Sequence, residues 1–242
     1  MRRRTPSRGS RGSDMFVTIK NLRRCTVCGT DGAAGGVSDV LFDDAAWRVR
    51  YVVAETGSWL HSHRVLLPPE VLGHVRGDER TLPVALTDDE IECERPLDAD
   101  PPVSMRMEQQ IRNVVALASC WVAGFCEPNP ANPLMVLTTA VPAWSEALKP
   151  RPGDPHLRSA SRVIGHHAMA QDGMFGCIED FVVDDDGWSV RDLVVQAGGF
   201  FHHKRLLVSP SSVSRISWGM RAVRIELPRA RIEGGPTSAR CA

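Results

Sequence analysis

Two cysteines form the pair in this 242-residue chain whose spacing best fits metal or redox chemistry. Cys25 and Cys28 make a C-x-x-C pair, which in a reducing compartment serves as half of a zinc site or as a redox pair. A closed zinc site needs a second pair of ligands. Cys120 and Cys126 supply one only if the chain between them and the first pair folds back. A lone C-x-x-C is therefore a candidate metal or redox site that the sequence leaves incomplete.

Four histidines form the second candidate group. His61 and His63 lie in one predicted hairpin tip, and His202 and His203 lie in another. Exposed imidazoles bind metals, but no carboxylate or thiol stands at a fixed spacing beside them. Because hairpin tips also favour polar residues for structural reasons, we expect no metal and no cofactor.

Enzyme signatures are absent from the sequence. Asp184-Asp185-Asp186-Gly187 resembles part of a calcium loop, but it lacks the ligand spacing and the terminal Glu of an EF-hand. Asp-Gly between two strands is typical of a hairpin turn, which is the interpretation we favour. The chain has no phosphate-binding glycine loop, no G-x-S-x-G and no H-E-x-x-H. We therefore expect a protein without enzymatic activity.

The sequence that forms the elements around these residues occurs twice in the chain. Residues 30–92 align without a gap on residues 171–233, and 19 of the 63 aligned positions are identical. The identities include positions where geometry restricts the residue type, namely a core ring, a glycine turn and a strand end. These structural repeat positions pair Trp47 with Trp188, Gly57 with Gly198, Arg64 with Arg205, and Pro69 with Pro210. The alignment predicts an internal duplication.

Each copy contains five or six short apolar runs separated by turn residues, a pattern typical of a small antiparallel barrel. In the first copy we predict strands over 25–29, 37–43, 47–54, 71–75 and 81–86, and in the second a strand over 163–170. Thr87 and Glu90 match a capping box, which predicts a short helix after the last strand of the first copy. The predicted fold is mainly β, with two small β-barrels related by duplication and joined by a linker with one helix.

Composition sets the predicted domain boundaries. Residues 1–14 contain five Arg and no apolar residue beyond Met1, which predicts a disordered basic tail. The barrels are expected over 15–95 and 155–233, with a proline-rich linker over 96–154 and a flexible tail over 234–242. Within the linker, residues 104–119 lack Gly and Pro and place Met107, Ile111 and Val115 on one helical stripe.

Charge and cysteine usage limit the possible partners and compartments. The 29 basic and 29 acidic residues cancel, so the sequence gives no sign of a phosphate-binding surface and we expect no nucleic-acid partner. No apolar run is long enough for a transmembrane helix or a secretory signal. Seven scattered Cys fit a reducing cytoplasm better than a disulfide framework.

One pattern runs through both copies, G-x-x-x-D-x-x-x-D-D-x-x-W-x-V-R-x-x-V, followed by G, an aromatic residue and R-x-L-x-x-P. The first copy carries it as Gly35, Asp39, Asp43, Asp44, Trp47, Val49, Arg50, Val53, Gly57, Trp59, Arg64, Leu66 and Pro69. The second copy carries it as Gly176, Asp180, Asp184, Asp185, Trp188, Val190, Arg191, Val194, Gly198, Phe200, Arg205, Leu207 and Pro210. This pattern resembles the PRC-barrel family, including bacterial proteins with two such barrels in tandem.

The resemblance implies a small barrel used for binding and assembly rather than catalysis. The leading hypothesis is a non-enzymatic scaffold of two PRC-barrel modules that binds an unidentified protein partner. The first alternative is an accessory factor of a photosynthetic reaction-centre or other membrane electron-transfer complex, by resemblance to the reaction-centre H subunit, with peripheral association to that complex. The second alternative is a metal- or redox-binding protein that uses Cys25, Cys28 and the tip histidines.

Overall fold

The computed structural model describes residues 16–58, 61–77, 79–106, 154–198 and 204–234. Strands dominate these residues, and all of them belong to one hydrogen-bonded sheet of 13 strands. The prediction of a mainly β fold is therefore confirmed. Residues 16–106 are called the first half below, and residues 154–234 the second half.

The first half begins with a short strand and a helical turn, followed by a long hairpin. Its elements are β1 (Phe16–Thr18), α1 (Ile19–Leu22), β2 (Thr26–Cys28), β3 (Ala33–Asp43), β4 (Arg48–Ser58), β5 (His61–Leu67), β6 (Thr81–Pro83) and α2 (Asp88–Glu92). Short 3-10 helices lie at Pro69–Val71 and Leu97–Ala99, and residues 103–106 are helical. β2 pairs with β3 on one side and, in parallel, with β6 on the other.

The second half follows the same order of elements, with one additional strand, β12. They are β7 (Leu157–Ser159), α3 (Ala160–Val163), β8 (His167–Ala170), β9 (Gly173–Asp184), β10 (Ser189–Ala197), β11 (Lys204–Val208), a 3-10 helix at Pro210–Ser212, β12 (Val213–Ser217), β13 (Ala222–Ile225) and α4 (Arg229–Glu233). The first residues of β1 and β7, and of α2 and α4, are separated by the same 141 residues that relate the aligned segments.

A β-bulge divides the residues of β4 between two apolar clusters. The register against β3 shifts between Leu41 and Phe42, so Arg50 is left without a direct partner. As a result Val49 lies in the main core, whereas Tyr51 and neighbours pack in a smaller cluster on the other face. Val49 and Tyr51, two positions apart, therefore contribute to different clusters because of the bulge.

The first strand of each half pairs with the long hairpin of the other half. β1 lies antiparallel to β9, with Val17 opposite Val183, and β7 lies antiparallel to β3, with Arg158 opposite Phe42. The two pairs are related by the offset of 141 residues, so the exchange is reciprocal. Each half thus adds a short strand to the long hairpin of the other.

The halves also meet directly at the start of β4 and β10, whose first residues pair with each other. The N–H of Val49 donates to the Trp188 carbonyl, and the N–H of Val190 donates to the Trp47 carbonyl, both at 2.8 Å. Because each bond is repeated with the roles of the halves reversed, the contact is locally twofold, like the isologous interface of a dimer.

One apolar core spans both halves. The rings of Phe42 and Phe181 lie 5.3 Å apart, and side chains from α1 and α3 are buried in the same cluster. Each fully buried Leu, Ile or Phe stabilises such a core by about 1.5–3 kcal/mol relative to an exposed side chain. Two small β-barrels were predicted, whereas the described strands form one large sheet that is not closed. The hydrogen-bonded path is open, from β12 at one end to β6 at the other.

Local predictions had mixed outcomes. The capping box is confirmed: the Thr87 hydroxyl accepts from the Glu90 N–H at 3.3 Å, and the Glu90 carboxylate accepts from the Thr87 N–H at 2.8 Å. Two strand predictions were wrong in part. Val71 ends a 3-10 helix, and residues 72–75 make only an isolated bridge at Leu72. In the segment predicted as a strand over 163–170, Val163 ends a helix and the strand begins at His167.

Several predicted segments lie outside the described residues. These are the basic tail over 1–14, all but the first turn of the linker helix over 104–119, the rest of the linker to residue 153, and the C-terminal tail from residue 235. His202 and His203 also lie outside them.

Candidate functional site

The structure places Cys25 and Cys28 in different environments. Cys25 is buried, its Sγ lies 3.5 Å from the Asn21 carbonyl oxygen, and burial raises the pKa of its thiol. Cys28 is half-buried at the end of β2. Side chains three positions apart on an extended chain point to opposite faces. Within the described ranges, no group of three or more His, Cys, Asp or Glu side chains is arranged to hold a metal ion.

The remaining sequence candidates lie at strand ends. His61 begins β5, and His63 is exposed on the same strand opposite Thr56. Arg64 is also exposed, whereas Arg205 makes two hydrogen bonds to the Glu179 carboxylate, at 2.8 and 2.6 Å.

The repeat positions are held by backbone geometry and packing. Trp47 and Trp188 follow the hairpin turns with φ of 55° and 46°, and Gly57 and Gly198 have φ of 89° and 113°. The Trp47 ring stacks on Phe42 at 5.6 Å. Pro69 and Pro210 each open a 3-10 helix after β5 and β11, where a strand ends.

Two aspartates of the shared pattern hold the exchanged segments in place. Asp39 accepts hydrogen bonds from the Ser159 hydroxyl at 2.5 Å and the Ser161 N–H at 3.0 Å, both from the other half. Asp180 makes the equivalent contact with the Lys20 N–H at 3.2 Å. Burial raises the pKa of Asp180, and the hydrogen bonds that its carboxylate accepts from backbone N–H groups oppose this rise. These carboxylates therefore fasten one half to the other.

Asp44 is the centre of a charged cluster that joins the halves. Its carboxylate accepts from Arg158 Nε at 2.5 Å and lies 2.8 Å from His156 Nδ1, while its own side chain is 10% exposed. The hydrogen bond and the charge of Asp44 raise the pKa of His156. The first half thus supplies the anion and the second half supplies both cationic partners.

A cleft of about 510 Å³ opens beside this cluster, between the turn that carries Asp44 and the β12–β13 hairpin. Its volume is within the range of about 300–1,000 Å³ that is usual for binding sites. The lining combines two tryptophans, three side chains of His or Arg, and the strand β12. The principal residues are Trp47, His156, Arg158, Arg215, Ile216 and Trp218.

The corresponding place on the other side of the molecule is closed by the protein itself. Asp185, the counterpart of Asp44, is 3% exposed and accepts the N–H of Val75 at 2.8 Å, with His74 Nδ1 at 3.7 Å. The loop over 72–77 therefore reaches Asp185 directly. Its counterpart in the second half, β12, lines the open cleft instead.

Comparison with known families places the first half in one of them. Residues 15–91 match the model of the PRC-barrel domain. The chain contains a PRC-barrel domain. No curated protein matches the sequence. The PRC-barrel is a non-catalytic domain family whose members often serve as protein-interaction modules. In the part of the chain that the structure describes, no helix is long and apolar enough to cross a membrane.

The PRC-barrel domain supplies one wall of the cleft, with Asp44 and Trp47, and Val103 and the second half supply the rest. Sequence reasoning included Asp44 only as part of the family pattern. It missed His156, Arg158 and Trp218, because no repeat or motif marks them. The junction segment over 154–158 becomes part of the site only through the exchange of β7, which cannot be read from local periodicity.

Beneath the cleft lies a buried histidine that sequence reasoning did not single out as functional. His166 is 0% exposed, and neither ring nitrogen bonds to a described residue. Its ring lies 5.7 Å from that of Trp218, and both residues line a void of about 10 Å³ that also contacts Arg158. Burial, with the nearby positive charge of Arg221, lowers the pKa of His166 to about 4.

Replacing Asp44 by asparagine is expected to lower the pKa of His156 towards its ordinary value. The hydrogen bond that Asp44 accepts from His156 is the main cause of the raised pKa of His156, and Asp43 contributes less. A histidine-labelled NMR titration of Asp44→Asn and of the control Asp43→Asn measures both shifts. We expect the larger fall in Asp44→Asn; equal shifts in the two variants would show that the cross-half contact does not form in solution.

The buried His166 is expected to make the protein sensitive to acid. An unfolded histidine binds a proton near pH 6.5, whereas the folded one does so near pH 4. Stability is therefore complete above pH 6.5 and falls as the pH drops towards 4, by at most about 3 kcal/mol. His166→Met lacks the titrating group, so its stability relative to the parent should rise over this interval. Urea unfolding at pH 7 and pH 4.5 measures this difference, which a pH-independent offset would contradict.

Proposed function

We propose that this chain is a non-enzymatic binding protein that mediates protein assembly through the cleft between its PRC-barrel domain and its second half. The observation that carries the proposal is the open cleft of about 510 Å³, walled by Trp47 and Trp218 and flanked by Arg158 and His156. Tryptophan and arginine are enriched at the energetic centres of protein interfaces. The strand β12 forms one wall of the cleft over its whole length.

The second half is proposed to be a second module of the PRC-barrel type, over residues 155–233. The aligned identities and the constant offset of the elements support this assignment. In a symmetric pair of identical modules, the two sides must be the same. Two modules in one chain can diverge in sequence, so their two sides can differ. Here the Asp185 side is filled by Val75, whereas the Asp44 side is open among the described residues, so the two sides differ.

Site-specific photocrosslinking in the native cell tests the proposal. A photoreactive amino acid is placed at Ser214, which is exposed in the cleft, and as a control at Arg24, which is exposed away from it. We expect one discrete protein adduct at position 214 and none at position 24. The adduct partner, purified, should bind the unmodified chain in a fixed stoichiometry. Equal labelling at both positions, or no specific adduct at position 214, would remove the cleft as the docking site.

A further inference from the structure

β12 is an edge strand that lines the cleft along its whole length. It stands at one end of the sheet, and β13 is its one strand partner among the described residues. Every residue from Val213 to Ser217 contributes to the cleft wall. An edge strand directs unpaired backbone N–H and C=O groups away from its neighbour, and extended peptides bind such edges as an added strand.

In the first half, the segment that corresponds to β12 closes the equivalent site by binding Asp185. Val75 stands in the position of Ile216, and its N–H donates to the Asp185 carboxylate at 2.8 Å. In the first half, therefore, a carboxylate accepts the backbone N–H at this position. On the cleft side the corresponding carboxylate, Asp44, is bound by His156 and Arg158.

The charge of the cleft favours an acidic occupant. Arg158 and Arg215 outnumber Asp44, and the raised pKa of His156 adds positive charge as the pH falls. Arg215 is exposed and has no ion-pair partner within the described ranges. At a protein surface, each such pair contributes modestly, on the order of 1 kcal/mol or less, but several together select the sign of the ligand.

The two tryptophans of the cleft favour a ligand that carries apolar side chains as well as acidic ones. Trp47 and Trp218 are both half-buried and line the same cleft. In an extended peptide, successive side chains point to opposite sides, so one set can face the arginines while the alternate set packs on the indole rings. A strand in which acidic and aliphatic residues alternate fits both requirements.

We propose that β12 binds an extended peptide segment with alternating acidic and aliphatic residues, which adds to the sheet as a further strand. The proposal rests on the function proposed above and names the chemistry of the partner. It assigns the specificity to Arg215 and the backbone pairing to β12, with Trp47 and Trp218 as the apolar wall.

The experiment uses the full chain and three labelled octapeptides in which valine alternates with glutamate, glutamine or lysine. Fluorescence anisotropy measures binding, and amide hydrogen exchange by NMR reports on β12. We expect the glutamate peptide to bind at least about fivefold more tightly than the glutamine peptide. Arg215→Glu and Ser214→Glu should each weaken its binding about tenfold or more, whereas the control Arg24→Glu should not. Exchange of the β12 amides should slow on binding.

Each other outcome overturns the proposal in an identifiable way. Equal binding of the three peptides would exclude selection by charge, and unchanged exchange in β12 would exclude strand addition. If no peptide binds while the photoadduct at position 214 persists, this inference is wrong and the proposed function stands. If the photoadduct is also absent, both fail. Thermal unfolding of the Arg215→Glu and Ser214→Glu variants verifies that weakened binding does not come from loss of the fold.

Discussion

Gly35→Ala is expected to destabilise the protein by about 3 kcal/mol or more. A β-carbon at Gly35 would lie 2.2 Å from the carbonyl oxygen of Glu55 on the facing strand. The clashing atom belongs to the backbone of the β3–β4 hairpin, so no side-chain rotation relieves the contact. The hairpin must separate locally, and it carries Asp39 and Asp44, which bind the second half.

The neighbouring Gly36 provides a matched control. A β-carbon there has no atom within 4 Å, so Gly36→Ala should change the free energy of unfolding by well under 1 kcal/mol. The corresponding Gly176 meets the Gln196 carbonyl oxygen at the same 2.2 Å, and Gly176→Ala should behave like Gly35→Ala. Urea unfolding of the three variants measures the differences. Similar stability of Gly35→Ala and Gly36→Ala would show that the strands are not this close.

Features encoded by local chemistry were predictable from the sequence. The Thr87 and Glu90 pair encodes its own cap, and the Asp-Gly turn signal at 186–187 precedes the second strand of a hairpin. The mainly β composition follows from the short apolar runs between turns. In each case a few adjacent residues determine the geometry, so no knowledge of distant contacts is needed.

The cleft was not predictable because it depends on contacts between residues that are far apart in the sequence. Asp44 meets His156 and Arg158 across more than 100 positions, through a strand exchange that no local pattern encodes. Even the shared aspartates mislead, because Asp44 and Asp185 occupy aligned positions yet one borders an open cleft and the other is sealed. The difference comes from the segments that face them, which the alignment treats as equivalent.

Cutting the chain between residues 106 and 154 is expected to leave both fragments in one folded complex. Each half contributes a strand to the other, and Leu157 of the second half is completely buried among Leu41, Val53 and Leu66 of the first. A site-specific protease sequence inserted in this interval allows the cut after folding. Size-exclusion chromatography should show a single species containing both fragments. Its thermal midpoint should become dependent on concentration, because unfolding now separates two chains.

Fragments produced separately should not fold alone, and mixing them should restore the complex. An isolated first half exposes the edge of β3 and the apolar surface that Leu157 covers, and an isolated second half loses the partner of β9 in the same way. Such a half also loses its share of the common core, including the contact between Phe42 and Phe181. Two folded, monomeric fragments would contradict the exchange of strands. They would also remove the cleft, since Asp44 and Arg158 would then belong to separate bodies.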